Sequence, residues 1–384
     1  MKNTTIKVKQ VFYFSYILML FSWMFESVLY IKELLPYIRY ISYILAIIVI
    51  FYNYKKFSAK KVLVNIILTI IVIISTIYSK NNMILSLWLF LLACEQIDFD
   101  EMVRIDFKTK IIFTIIIVLL YLLGFTTKVE FLTYTGEIRS SLGFGNPNTF
   151  GYYMFSICAD YLYIKTGKLK FSNIIILILI SVFVGKASLS RTSSYLIILL
   201  AAMSTFSTIF KKIIFNKITK KIVYITFLIL TIISIEIASN YNEGNRLHVA
   251  LNNALSGRVI ISQKYLEKYD YKLLGQEVEI TNYTGTKTLY LDNAYLKLLL
   301  NSGILVYILI YSIYAKIIKK GYDMNNNLLI VTIIVYLMYG VTENAMFWLT
   351  GNVFLLYGFC EKEKIKKKVI KNEKNINNNV SCIS

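Results

Sequence analysis

Long apolar runs recur from one end of this 384-residue chain to the other, and they leave few folds open. A run of about 20 apolar residues crosses a bilayer as one helix. A soluble chain of this length has no core large enough to hide so many. Hydrophobic residues make up 57% of the sequence, mean hydropathy is +0.60, and only two prolines interrupt the runs. The runs are continuous rather than alternating, which indicates helices and not a barrel. The sequence therefore predicts an all-α, polytopic integral membrane protein, a single membrane domain over residues 1–384.

About twelve spans are predicted, at 11–30, 36–53, 62–78, 83–97, 110–126, 147–164, 172–187, 193–210, 221–239, 293–315, 327–342 and 344–359. No cleavable signal peptide is evident, and the first span doubles as a signal anchor. With a cytoplasmic N-terminus, nearly every basic cluster falls on the inner side. These clusters are Lys2, Lys7 and Lys9, then Lys55 to Lys61, Lys165 to Lys170, Lys211 to Lys221 and Lys316 to Lys320. The exception is 95–110, read as an acidic inner loop. A basic cytoplasmic tail, 361–384, closes the chain and suits anionic lipid headgroups or plain solvent. Membrane lipids are thus partners, and the charge of +20 is topological rather than a footprint for nucleic acid. Four cysteines (Cys94, Cys158, Cys360, Cys382) and one histidine make neither a paired framework nor a metal pattern. No metal and no cofactor is expected.

On the outer side most loops are short, but 127–146 and 240–292 are not. The larger loop, before the tenth span, balances six basic against six acidic residues. Within it 257–270 reads as an amphipathic helix, with Val259, Leu266 and Tyr269 available to rest on the membrane surface.

Three stretches converge on the outer face. Arg139 to Gly151 reads Arg-Ser-Ser-Leu-Gly-Phe-Gly-Asn-Pro-Asn-Thr-Phe-Gly, with Gly145 in the turn, Asn146 as N-cap and Pro147 at the first helical position. Asn148 follows in the first turn. Ser188-Leu-Ser-Arg-Thr-Ser-Ser puts Ser190 and Arg191 at the start of the eighth span. Leu291-Asp-Asn-Ala-Tyr-Leu puts Asp292, Asn293 and Tyr295 at the start of the tenth, with Gly303 beyond. Arg258 lies in the loop between the last two. Any one interfacial arginine is explained as an anchor that snorkels to headgroups. Three on the side where topology disfavours positive charge call for a use, and guanidinium forks suit phosphate oxygens.

Taken together, Arg…Gly-Phe-Gly-Asn-Pro-Asn-Thr-Phe-Gly, Ser-Arg-Thr-Ser, Ser-Gly-Arg and Asp-Asn-Ala-Tyr-Leu…Gly resemble the O-antigen polymerase and ligase superfamily, most closely its Wzy-type polymerases. The resemblance implies a GT-C-like, metal-independent glycosyltransferase in the cytoplasmic membrane of a bacterium, with both termini cytoplasmic. Its substrate would be an undecaprenyl-diphosphate-linked oligosaccharide, whose glycan passes to the end sugar of another lipid-linked unit. A flippase and a chain-length co-polymerase are implied partners. Arg139, Arg191 and Arg258 would stabilise the departing diphosphate. In related ligases a histidine precedes the asparagine of the third motif, where this chain has Asp292. Asp292 would serve as base or merely cap the tenth span, and His248 is the other candidate base. Glu343, at the outer end of the eleventh span, would orient a sugar or end a helix.

Two other readings stay open: a ligase of the same superfamily, and a lipid-linked oligosaccharide flippase or other transporter. The absence of an inverted repeat weighs against transport. Glu26 and Glu236, inside or near the ends of spans, are its candidate proton-coupling carboxyls, without an identifiable partner. A scaffold without chemistry would tolerate loss of the outer arginines. The 31 tyrosines and 24 phenylalanines exceed what interfacial belts require, so most belong to the core and some are available to stack on sugars.

Overall fold

A computed structural model describes residues 2–55, 57–127, 130–132, 138–281 and 288–361. The basic tail beyond Glu361, and Cys382 with it, lie outside the described residues. The chain is mostly helical. Helices α1 (Lys2–Met24), α2 (Leu35–Tyr54), α3 (Ala59–Ser79) and α4 (Met83–Ala93) come first. Helix α5 (Phe99–Leu122) leads to a hairpin of β1 (Glu130–Leu132) and β2 (Ile138–Ser140), paired antiparallel. Then come α6 (Pro147–Ile164), α7 (Phe171–Ala187), α8 (Arg191–Ile209), the short α9 (Lys211–Ile214) and α10 (Lys217–Ser239). The large loop carries α11 (Arg246–Ala254), α12 (Arg258–Lys268) and a small antiparallel pair, β3 (Ile280–Thr281) and β4 (Thr288–Leu289). Helices α13 (Ala294–Lys297), α14 (Ile304–Asp323) and α15 (Asn327–Tyr339) follow.

Four helices, α2, α3, α8 and α10, are both long and apolar enough to cross a membrane. They turn isoleucines and phenylalanines outward, among them Phe51, Ile70, Ile77, Ile198 and Ile232. Their small and polar residues face inward, including Ser42, Ser75, Ser204 and Thr231. That inversion of the soluble pattern is what a hydrocarbon solvent selects. Helices α6 and α15 are instead buried along most of their length, with α8 packed against both. They form the centre on which the polar sites are built.

Three predicted boundaries need correction. The stretch 95–110 is not an inner loop. Asp98 caps α5 by accepting from the Glu101 N–H at 3.1 Å, and Asp100 and Glu101 favour the helix start. The tenth span is broken: α13 passes through a π turn at Leu298–Ser302 and stops at Gly303, whose φ is +90°. A Cβ there would strike the backbone of Leu273 to Gly275. That loop segment meets the break with backbone hydrogen bonds, Ile304 N–H to Lys272 O at 3.0 Å and Gln276 N–H to Asn301 O at 2.9 Å. The twelfth span is no α-helix. Residues 344–359 hold two 3₁₀ turns, Asn344–Phe347 and Val353–Leu356, the latter fully buried. Irregular backbone is tolerated beside a bilayer only when protein surrounds it. Here Tyr336 donates to Gly351 O, and the Asn352 amide donates to Met346 O.

The amphipathic helix appears as α12, and of its apolar residues Leu266 and Tyr269 are half-buried against a small cluster that includes Tyr265 and Leu296. Val259, Ser262 and Tyr265 are buried, and α12 packs on α10.

Candidate functional site

The glycine turn before α6 is shaped by contacts with α5 and with the segment that follows α1. Gly143, at φ +89°, sits against Ile117 and Tyr121 where no side chain fits. Its carbonyl accepts from the Ser27 hydroxyl. The turn delivers Asn146 as N-cap, its side chain accepting from the Asn148 N–H at 2.8 Å, with Pro147 next. Gly151, one turn on, lets α8 come close, since a Cβ there would run into the Ser190 and Ser193 hydroxyls. The starts of α6 and α8 are thus neighbours.

Six segments meet there in one chain of hydrogen bonds. The Arg139 guanidinium donates to Asn148 Oδ1 at 2.8 Å and, from Nε, to Ser188 O at 3.5 Å. The Asn148 amide donates to Glu343 Oε1 at 3.0 Å. Arg258 donates to the same oxygen at 2.5 Å and, from Nε, to Asp292 Oδ2 at 3.1 Å. Asn148 has a single amide orientation that serves both an arginine and a carboxylate. Arg191, the first residue of α8, stands within electrostatic reach of Arg139. Its guanidinium is exposed and makes no hydrogen bond with the described residues.

Arg191 and Arg258 each begin a helix, where the positive end of the dipole disfavours a cation. Arg258 is compensated by two carboxylates. Arg191 has no such partner among the described residues, and α8 has no side-chain cap. Its start is open to an anion. Burial pushes the Glu343 carboxyl up to about 7; Arg258 opposes this, Asp292 adds to it and Arg139 opposes it. Burial also lowers Arg139, with Arg258 nearby working the same way. For Arg258, burial disfavours the charge, but Glu343 and Asp292 more than reverse it.

Of the predicted residues, Arg139, Asn148, Arg258, Asp292 and Glu343 are brought into direct contact, with Arg191 alongside. Asn146 is the cap the sequence indicates, and Gly145 is part of the turn that sets it. Others are committed elsewhere. Ser190 donates to Ser193, whose hydroxyl meets Tyr339 at 2.5 Å. The cap of α13 is Asn293, not Asp292: its Oδ1 accepts from the N–H groups of Tyr295 and Leu296, both at 3.1 Å. Its amide donates to Ser234 and Val341 O, so it has no capacity left for a ligand. Tyr295 is fully buried and donates to Leu337 O. His248 lies outside the hydrogen-bonded chain. Its Nδ1 accepts from the Asn242 N–H at 3.0 Å, its ring stacks on Tyr241, and it lines a separate cavity of about 200 Å³ with Leu251 and Val259.

Among the described residues no three His, Cys, Asp or Glu side chains gather as a metal site. The carboxyls buried among the helices are not the predicted ones. Glu26 and Glu236 are exposed, and Glu236 accepts from Asn240. Asp106 and Asp160 are the fully buried pair, with Lys110 between them. A lone aspartate inside an apolar run was the signal for Asp160.

Comparison with family models, with curated proteins and with solved structures finds no match to this chain.

Proposed function

We propose that this chain is a membrane glycosyltransferase that joins oligosaccharide units carried on undecaprenyl diphosphate at the outer face of a bacterial cytoplasmic membrane. The observation that carries this reading is the meeting of Arg139, Arg191 and Arg258 with Glu343 and Asp292 at the starts of α6, α8 and α12. The GT-C-like architecture of about twelve membrane passages, with both termini cytoplasmic, belongs to the same proposal. So do a flippase and a co-polymerase as partners.

An acceptor hydroxyl oxygen attacks the anomeric carbon of the lipid-linked glycan. The bond from that carbon to the diphosphate oxygen breaks, and its electron pair leaves with the lipid diphosphate. Arg191, with its free guanidinium, takes the diphosphate first, and Arg139 and Arg258 hold the charge that develops. The proton of the hydroxyl passes to Glu343. Glu343 is preferred to Asp292 as base because a carboxyl near 7 exists in both forms at neutral pH. Asp292 then positions Arg258.

This assignment gives a pH dependence. The carboxylate is the active form, so the rate rises with pH through about 7 and then levels. Glu343→Gln is expected to remove that limb and lower the rate by about 10²-fold. An unchanged limb in the variant assigns the base elsewhere.

The reading is tested in cells with Arg191→Ala, which removes a group without structural partners among the described residues. Single lipid-linked repeat units are expected to accumulate on the outer face while protein levels hold. Normal glycan chains would make the arginine an anchor only. A ligase would leave polymer length normal and block its transfer to a final acceptor. A flippase is the second reading, favoured by the charges buried at Asp106, Lys110 and Asp160. It places the accumulated units on the inner face.

A further inference from the structure

Lys110 of α5 is fully buried, and so are Asp106 on the same helix and Asp160 on α6. The lysine Nζ donates to Asp106 Oδ2 at 2.5 Å and to Ser156 Oγ at 2.6 Å. It stands 3.5 Å from Asp160 Oδ2. Tyr16 of α1 donates to Asp106 Oδ1 at 2.9 Å. From α15 the Tyr336 hydroxyl faces Ser156. Tyr153 and Cys158 of α6 are the other titratable groups nearby. One atom is left over: Asp160 Oδ1 is buried with no partner among the described residues.

The charges do not balance. One ammonium faces two carboxyls, and an uncompensated charge is what an apolar interior tolerates least. The two carboxyls face each other, and one proton held on either of them would bring the trio to neutrality.

A route for that proton starts at the end of α6 remote from the arginine cluster. A cavity of about 290 Å³ is lined there by Asp98, Asp100, Arg104, Tyr163, Lys168 and Glu361. Asp160 is three residues above Tyr163, a rise of roughly 4.5 Å. The Tyr163 hydroxyl donates to Asp100 Oδ1 at 2.8 Å, and its ring meets Phe99 edge-on at 5.3 Å. Tyr163 and Phe99 line that cavity, so the buried group lies about one helical turn of α6 from its wall.

We propose that Asp106 and Asp160, bridged by Lys110, form a proton-binding site that exchanges one proton with water in the cavity beside Tyr163. The proton is taken from hydronium in that cavity. An O–H bond forms on a carboxylate, and the net charge of the trio goes from −1 to 0. The site is separate from the glycosyl-transfer reading and stands or falls without it.

The test is infrared spectroscopy of the purified full-length chain carrying Glu343→Gln, which removes the outer carboxyl near neutral pH. At pH 8 one protonated-carboxyl absorption per chain is expected, moving to lower frequency after transfer to D₂O. Adding Asp160→Asn is expected to abolish it while leaving thermal unfolding near that of the parent, because one ammonium then faces one carboxylate. Should that variant not fold, the parent's absorption and its deuterium shift still decide, and Asp106→Asn gives the assignment. No protonated-carboxyl absorption in the parent means both carboxylates are ionised and overturns the proposal. So does an absorption that stays unshifted in D₂O, which would mark a sealed proton, or one that survives both substitutions.

Discussion

Replacing Arg258 with alanine is expected to abolish polymer formation, with a fall of about 10²–10³-fold in the rate of glycan transfer. Arg258 is the residue of the cluster that ion-pairs with both of its carboxylates. Arg258 binds Glu343 at 2.5 Å and Asp292 at 3.1 Å with its side chain only 12% exposed. Its loss removes the charge proposed to face the leaving diphosphate and leaves two carboxylates facing each other. Breaking such a pair costs about 3–5 kcal/mol when fully buried, and less here because Asp292 is 29% exposed. Some loss of the outer loop's order is therefore expected alongside the loss of activity. Arg258→Lys separates the two effects: a lysine restores a positive charge but not a fork that reaches both carboxylates. It should recover protein levels more than activity. The check is glycan length and membrane protein level in both variants. Activity within a few-fold of wild type in Arg258→Ala would contradict the assignment.

The second large effect is expected on stability. Lys110→Met removes the one cation between two buried carboxyls, and the cost of leaving buried charge unpaired is about 3–5 kcal/mol. That is a large fraction of the stability of an ordinary domain. The variant is expected to be depleted from the membrane and to lose its thermal transition in detergent. Combining it with Asp106→Asn and Asp160→Asn removes every ionisable group of the trio at similar volume and should restore much of the loss. A Lys110→Met protein as stable as wild type would mean that water or another group already satisfies the carboxyls.

The arginine cluster was legible in the sequence because the expected topology makes arginines on that side conspicuous. Arg139, Arg191 and Arg258 stand out against a positive-inside pattern, and the turn at 143–151 announces a helix start. Span positions were equally legible where the run is long and apolar, as in α3 and α10. Polar residues inside helices were harder to read. Arg104, Asp106, Lys108 and Lys110 depress hydropathy over the first half of α5, so a capped helix resembles a loop. Arg104 and Lys108 are exposed, while Asp106 and Lys110 are buried by α1 and α6, which are remote in sequence. Residues 344–359 are apolar enough for a span, but Gly351 and Asn352 interrupt them, and their backbone is satisfied by Tyr336 and Asn352. Adjacent polar residues were also hard to tell apart. Asp292 and Asn293 both suit a cap, and only the position of Arg258 decides that Asn293 caps α13 while Asp292 makes an ion pair. His248 drew notice because it is the single histidine, yet Asn242 and Tyr241 hold it apart from the cluster.

The most direct measurement of the central claim uses the purified chain in liposomes with a polyprenyl-diphosphate-linked oligosaccharide repeat unit supplied on one side. A ladder of lengthened glycans and one free lipid diphosphate per bond formed are expected, both absent with Arg258→Ala. Folded wild-type protein that carries the unit across the bilayer without lengthening it, or that leaves it unchanged while a natural membrane extract from the same cells extends it, would contradict the account.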